Sequence, residues 1–241
     1  VREFDELPLR EVPRKPRVGV VGEILVKFHP DANNHVVDVI EAEDCEAVIP
    51  GILQFFLMPL YSAKYQWDTL GIGRKSHRVK KLATWLIEKY QQPVAHALAK
   101  TGKFDVPPRM GDLAKKADGV ISLGTRAGEG WLLTAEMVEL IELGAPNIIC
   151  AQPFACLPNH VVGKGMFAEL RRRHPEANIV AVDYDPGASE TNQLNRIKLM
   201  VATAHKRHRA EQPIEPADSA WLAEPQLATA PMSPADVWDL V

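Results

Sequence analysis

The 241-residue chain has only three cysteines, Cys45, Cys150 and Cys156, too few for a disulfide framework in a chain of this length. It has no apolar run long enough to span a bilayer. Residues 1–17 are charged and proline-rich, the opposite of a signal peptide's apolar stretch. A cytoplasmic, reducing setting is therefore expected, with no membrane contact. The net charge is -3, so there is no basic excess to suggest nucleic-acid binding. Arg171-Arg172-Arg173 and Lys206-Arg207-His208-Arg209 are basic, but each lies late in a helical pattern, where cations complement the helix dipole. Neither a GxGxxG nor a GxxxxGK[ST] motif occurs, which removes the usual dinucleotide and phosphate loops. There is no internal repeat. The chain begins at Val1 and not at methionine, and a fragment of a longer protein is expected.

What is present is an alternation of short β-branched runs with helical patterns. Residues 1–16 read as an extended N-terminal segment, held out of helix by Pro8, Pro13 and Pro16. Residues 17–23 are a strand covered on both faces that ends at Gly22-Glu23, and the apolar stretch 24–30 prolongs it or walls a loop. Residues 35–43 form a helix and 46–51 a second strand. A helical insertion follows over about 52–117, covering the sheet or one end of it, with Pro59 and Pro93 as interruptions. Residues 119–124 fit strand or helix equally, and 128–131 turn the chain. A helix over 134–143 ends at Gly144 and Pro146. Strands at 148–151 and 178–183 then alternate with helices at 165–174 and 189–205. The fold expected is α/β: a Rossmann-like, mostly parallel sheet over 17–210, with helices on both faces. Residues 211–241 turn to Pro, Ala, Glu, Asp and Ser and read as a C-terminal extension, extended, docked or disordered, not a second domain.

In a parallel sheet the strand exits share one edge, and ligands bind there. That edge would collect Gly22 and Glu23, the turn from Gln152 to His160, and the loop from Asp183 to Ser189, with the 124–130 loop beside them. Cys156 lies on the middle turn, stiffened by Pro153 and Pro158. A thiolate there can attack an electrophile, form a redox disulfide or ligate a soft metal, and His160 lies four residues away. Cys150 falls inside a strand and reads as a packing residue, while Cys45 belongs to the opposite edge. Glu23 reads as a ligand acceptor or a solvated turn carboxylate. Asp183 and Asp185 read as metal or ribose ligands, or as parts of an Asp-Pro-Gly turn. Ser189 reads as a helix cap or an anion site.

Several stretches together resemble one family. They are Val18-Gly19-Val20-Val21-Gly22-Glu23-Ile24, Asn33-Asn34, Gly128-Glu129-Gly130-Trp131-Leu132-Leu133-Thr134, Gln152-Pro153-Phe154-Ala155-Cys156-Leu157-Pro158-Asn159-His160 and Asp183-Tyr184-Asp185-Pro186-Gly187. They resemble the 2-hydroxyacyl-CoA dehydratase family, most nearly the dehydratase-like region at the C-terminal end of large CoA-substrate-specific activase-related proteins. The resemblance covers about 17–205. It implies Rossmann-like lobes and a [4Fe-4S] cluster held by several cysteines. It also implies a partner activase, domain or subunit, that hydrolyses ATP to inject one low-potential electron. In the dehydratases that electron lets an acyl-CoA substrate lose water through a ketyl radical; double-cubane relatives reduce other small substrates. On this resemblance Cys156 matches a cluster-ligand position; Glu23, Asn159 and His160 would then shape the pocket around it, with Gly22, Asp185 and Ser189 as further ligand-binding candidates at the strand exits. The family's other cysteines would lie before the first strand, where this chain has none, and one thiolate does not hold a cluster that takes four ligands. Three readings follow: a lobe of an iron–sulfur lyase or reductase that is incomplete as this chain, a docking module that kept the fold without the chemistry, or a small-molecule or nucleotide-binding Rossmann-like domain, which rests on the fold alone.

Overall fold

The computed structural model describes residues 1–8 and 12–211, so the extension expected at 211–241 lies, beyond Glu211, outside the described residues. In chain order the helices are α1 (Arg2–Asp5), α2 (Ile24–Phe28), α3 (Val36–Ala42), α4 (Leu53–Leu70), α5 (Arg74–Thr101), α6 (Met110–Ala117), α7 (Trp131–Glu142), α8 (Leu157–Val162), α9 (Phe167–Arg173) and α10 (Glu190–Glu211). The strands are β1 (Arg17–Gly22), β2 (Glu46–Val48), β3 (Asn147–Pro153) and β4 (Asn178–Tyr184). All pairings are parallel and the order is β2-β1-β3-β4. The order reverses between β1 and β3, which makes their shared carboxyl end the topological switch point.

Two cores flank the sheet. On one face Leu133, Met137, Leu140, Val162, Phe167 and Leu170 pack on Val21, Ile148, Cys150 and Ile179. On the other, Val26, Val36, Ile40, Ile197, Met200 and Val201 pack on Val18, Val20, Ile149 and Val182. The apolar patterning of the strands on both faces follows from this double cover. A third cluster joins Leu57, Met58, Met110, Leu113 and Ala117 to Trp131, Leu132 and Ala135. The insertion therefore packs on α7 and not directly on the sheet. Sandwiched between two layers, α7 buries ten of its twelve residues, which is why its sequence is apolar nearly all round.

Several sequence expectations are corrected. The stretch 24–30 neither prolongs β1 nor stays irregular: it forms α2, because Glu23 turns its side chain onto the free Val26 amide and starts a helix. Pro59 and Pro93 do not interrupt α4 and α5. Both prolines are exposed, and each costs its helix one backbone hydrogen bond. Residues 2–5 form one helical turn within the segment expected to be extended. Residues 119–124 form neither strand nor helix. Of the apolar residues of α10, Leu199 points outward and is 72% exposed. Among the described residues, no helix is long and apolar enough to cross a membrane.

Candidate functional site

The site is built on two strand exits drawn tightly together. Gly22 ends β1 with φ +139°, and a Cβ there would lie 1.7 Å from the Ala151 carbonyl oxygen of β3. Only glycine lets the two backbones approach this closely. The next amide, Glu23 N–H, donates to that same carbonyl at 3.0 Å. The exit of β1 is thus tied to β3 one residue before Gln152.

Beyond Pro153 the chain turns through Ala155, which is held at φ +58°, a conformation that costs a side-chain-bearing residue roughly 1–2 kcal/mol. This turn sets Cys156 at the N-cap of α8, its thiol half-buried. Asn159 and His160 are expected on the proline-stiffened turn. They lie instead within α8, one helical turn beyond Cys156. That periodicity is what lets Asn159 Nδ2 reach back and donate to Cys156 Sγ at 3.1 Å. His160 lies 2.9 Å, through Nδ1, from the Cys156 carbonyl oxygen. A carbonyl only accepts, so this geometry puts the proton on Nδ1 and leaves Nε2 as the basic nitrogen. His160 secures the turn backbone; this contact does not make it a base for the thiol.

Glu129, which sequence reasoning passed over, is the centre of the arrangement. It is 7% exposed, and its two oxygens bridge elements far apart in the chain. One accepts from the Ile24 amide at the start of α2 (3.1 Å), the other from Asn159 Nδ2 (3.1 Å). The 124–130 loop therefore does join the strand exits. The signal available in the sequence was Glu129 itself, a carboxylate between two glycines. Gly130 has φ +53°, and a Cβ there would sit 2.5 Å from the Thr125 carbonyl oxygen, so the loop is coiled tightly enough to turn Glu129 inward.

Gln152 is fully buried and was not singled out from sequence either. Its Nε2 donates to Asp183 Oδ1 at 2.8 Å, and Lys164 Nζ donates to both Asp183 oxygens at 3.0 and 3.1 Å. Burial pushes the Asp183 carboxyl up, but the Lys164 ammonium and the Gln152 amide outweigh it and leave Asp183 below its ordinary value. Asn159 Oδ1 and Gln152 Oε1 are buried without a hydrogen-bond partner among the described residues. Each leaves a desolvated acceptor of roughly 1–3 kcal/mol beside the turn.

The other sequence candidates separate from this cluster. Glu23 caps α2, so it serves the start of a helix. Asp185 is exposed and accepts from the Gly187 amide at 3.3 Å, closing the Asp-Pro-Gly turn. Ser189 is exposed and accepts from the Asn192 amide at 3.4 Å, ahead of α10. Both share the carboxyl edge, but no hydrogen bond among the described residues ties either to the Cys156 turn. Cys150 is buried against Gly163, and burial pushes its thiol up to about 12. Cys45 sits at the amino end of β2, on the far edge, with Sγ 3.6 Å from both the Glu43 carbonyl oxygen and His205 Nε2. Burial pushes it up to about 11.

Chemically, the turn offers one half-exposed thiol with an amide donor aimed at its sulfur, a group that can act as a soft ligand or a nucleophile. Among the described residues, no group of three or more His, Cys, Asp or Glu side chains is placed to hold a metal ion. A [4Fe-4S] cluster takes four ligands. The described residues therefore do not fit a cluster on their own. No protein-family model, curated protein or solved structure matches the chain.

Proposed function

We propose that this chain is the C-terminal lobe of a 2-hydroxyacyl-CoA dehydratase- or activase-like iron–sulfur protein. In this reading Cys156 offers one thiolate to a [4Fe-4S] cluster whose other ligands lie outside the described residues. The reaction class that goes with it is ATP-driven, low-potential electron transfer from an activase domain or subunit. Its outcome is dehydration or reduction of an acyl-CoA-type substrate. The chain's own residues then have defined parts. Asn159 donates to the sulfur, Glu129 fixes Asn159 and the start of α2, and the orphaned oxygens of Gln152 and Asn159 offer acceptors at the switch point.

The observation that carries the reading is the position of Cys156. The motif that resembles the family puts its only cysteine on a strained turn at the topological switch point, half-exposed and hydrogen-bonded, while the other two thiols are buried. The test is anaerobic cluster reconstitution of the full-length protein, with iron and acid-labile sulfide measured for wild type and Cys156→Ser. A loss of iron and of the visible charge-transfer absorption in the variant is expected. Equal iron content and an unchanged spectrum would remove the ligand assignment. The alternative, a docking module without a cluster, is favoured by the single thiolate and predicts iron-free protein in both samples.

A further inference from the structure

Gln54 stands in the first turn of α4 and is 4% exposed, yet its Oε1 is buried without a hydrogen-bond partner among the described residues. A desolvated acceptor left unmet is costly, and native folds hold few of them. This residue lines a cavity of about 360 Å³ bounded by the exit of β2, the start of α4, the segment joining α5 to α6 and one side of α7. No residue of the Cys156 turn lines it. Its wall is mostly apolar: Leu113 and Leu140 are buried, whereas Ile52, Val106 and Leu143 are exposed and form the rim. Pro107 and Pro108 fix the backbone of one side, which limits its freedom to collapse inward. Gly51 also lines the cavity. A Cβ there would lie 3.0 Å from Gln54 Oε1, so the glycine leaves that oxygen room for an approaching atom.

We propose that this cavity binds a small neutral molecule with an apolar body and a hydroxyl group, the hydroxyl donating to Gln54 Oε1. Size sets the body. The cavity falls within the range of about 300–1,000 Å³ usual for small-molecule sites. An apolar cavity of about 150 Å³ takes a benzene ring, so this one has room for a ring with a short aliphatic arm. Charge sets the head. Among the described residues, the titratable side chains that line the cavity are Asp105, Glu136 and Glu139, with no Lys, Arg or His. An anion would meet three carboxylates in a poorly hydrated space. A cation gains little, because each carboxylate already has its partner: Arg17 on Asp105, Lys27 on Glu136 and Lys116 on Glu139. Gln54 leaves an acceptor unmet, and a neutral donor satisfies it without bringing in a charge. In addition, α4 begins in this wall without a side-chain cap, and the first amides of a helix lack partners within it. A hydroxyl both donates and accepts, so it suits the two needs together better than an ammonium group does.

The test is titration of the full chain with probes that share one carbon skeleton and differ in the head: phenylpropanol, phenylpropylamine, phenylpropionate and propylbenzene. Binding is read by ligand-observed saturation-transfer NMR. Saturable binding of the alcohol is expected, about tenfold tighter than propylbenzene, the difference that one hydrogen bond supplies. Gln54→Leu removes the unmet acceptor and keeps the bulk, so it should retain the circular dichroism spectrum and bring the alcohol down to the level of propylbenzene. Gly51→Ala, at an exposed position whose φ lies outside the left-handed region, should weaken the alcohol by a similar factor because the added methyl crowds Oε1. Absence of saturable alcohol binding overturns the proposal, and so does equal affinity for the alcohol and propylbenzene. Tighter binding of the amine or the propionate overturns it by showing that charge selects the ligand. An alcohol affinity unchanged in folded Gln54→Leu, or in Gly51→Ala where Gln54→Leu does not fold, overturns it as well.

Discussion

At the scale of the residue, three thiols of identical chemistry are given different fates by their surroundings. Burial raises Cys45 and Cys150 to about 11 and about 12, whereas Cys156 stands half-exposed with Asn159 Nδ2 on its sulfur. Alkylation of native, iron-free protein at neutral pH should therefore modify Cys156 first, with Cys45 and Cys150 reacting only as the protein unfolds. Peptide mapping after timed iodoacetamide exposure checks this, and early labelling of Cys150 would contradict the burial argument. Asp183 gives a pH prediction. Its folded pKa is lowered, so the pairing with Lys164 contributes stability above the ordinary value of 3.8 and loses it as pH falls through the lower folded value. Asp183→Asn should lose less urea midpoint than wild type over that acid range, and parallel acid limbs for the two proteins would refute it. The burial of Cys150 and the place of Cys156 on a turn were legible because they follow from local patterning alone. Glu129 and Gln152 were not, because their partners Ile24, Asn159 and Asp183 lie 105, 30 and 31 residues away and only the closed fold brings them together.

At the scale of the element, short-range chemistry decided what hydropathy left open. The apolar run after Gly22 read as more strand or as a loop wall, but a carboxylate at N-cap converts it to α2. Once helical, α2 carries Lys27 into the core, where Nζ meets both oxygens of Glu136 on α7 at 2.9 Å, with both side chains almost fully buried. Burial pushes Glu136 up, and Lys27 opposes that shift. Lys27→Met leaves a buried carboxylate alone and should cost about 3–5 kcal/mol in urea unfolding, while Lys27→Met with Glu136→Leu should come back close to wild type. If the single variant is as stable as the double, the pair is not a buried ion pair in solution. The alternation of strands with helices could be read from sequence because it depends on local patterning. The passage of α4 and α5 through Pro59 and Pro93 could not, because it depends on which side of the helix meets water.

At the scale of the whole molecule, the parallel sheet and its double cover were foreseeable from the strand–helix alternation, but strand order was not written in any local pattern. The order β2-β1-β3-β4 is what places the exits of β1 and β3 side by side, and with them Gly22, Glu129, Gln152 and the Cys156 turn. The insertion adds a third layer over α7. The central claim is that Cys156 is a cluster ligand at this switch point. The most direct measurement is the alkylation rate of Cys156 in the full-length protein before and after anaerobic reconstitution with iron and sulfide. The account predicts that Cys156 changes from the fastest-labelled thiol to a protected one, and that a chelator restores its reactivity. Equal labelling of Cys156 before and after reconstitution, in protein that has taken up iron and sulfide, would contradict it.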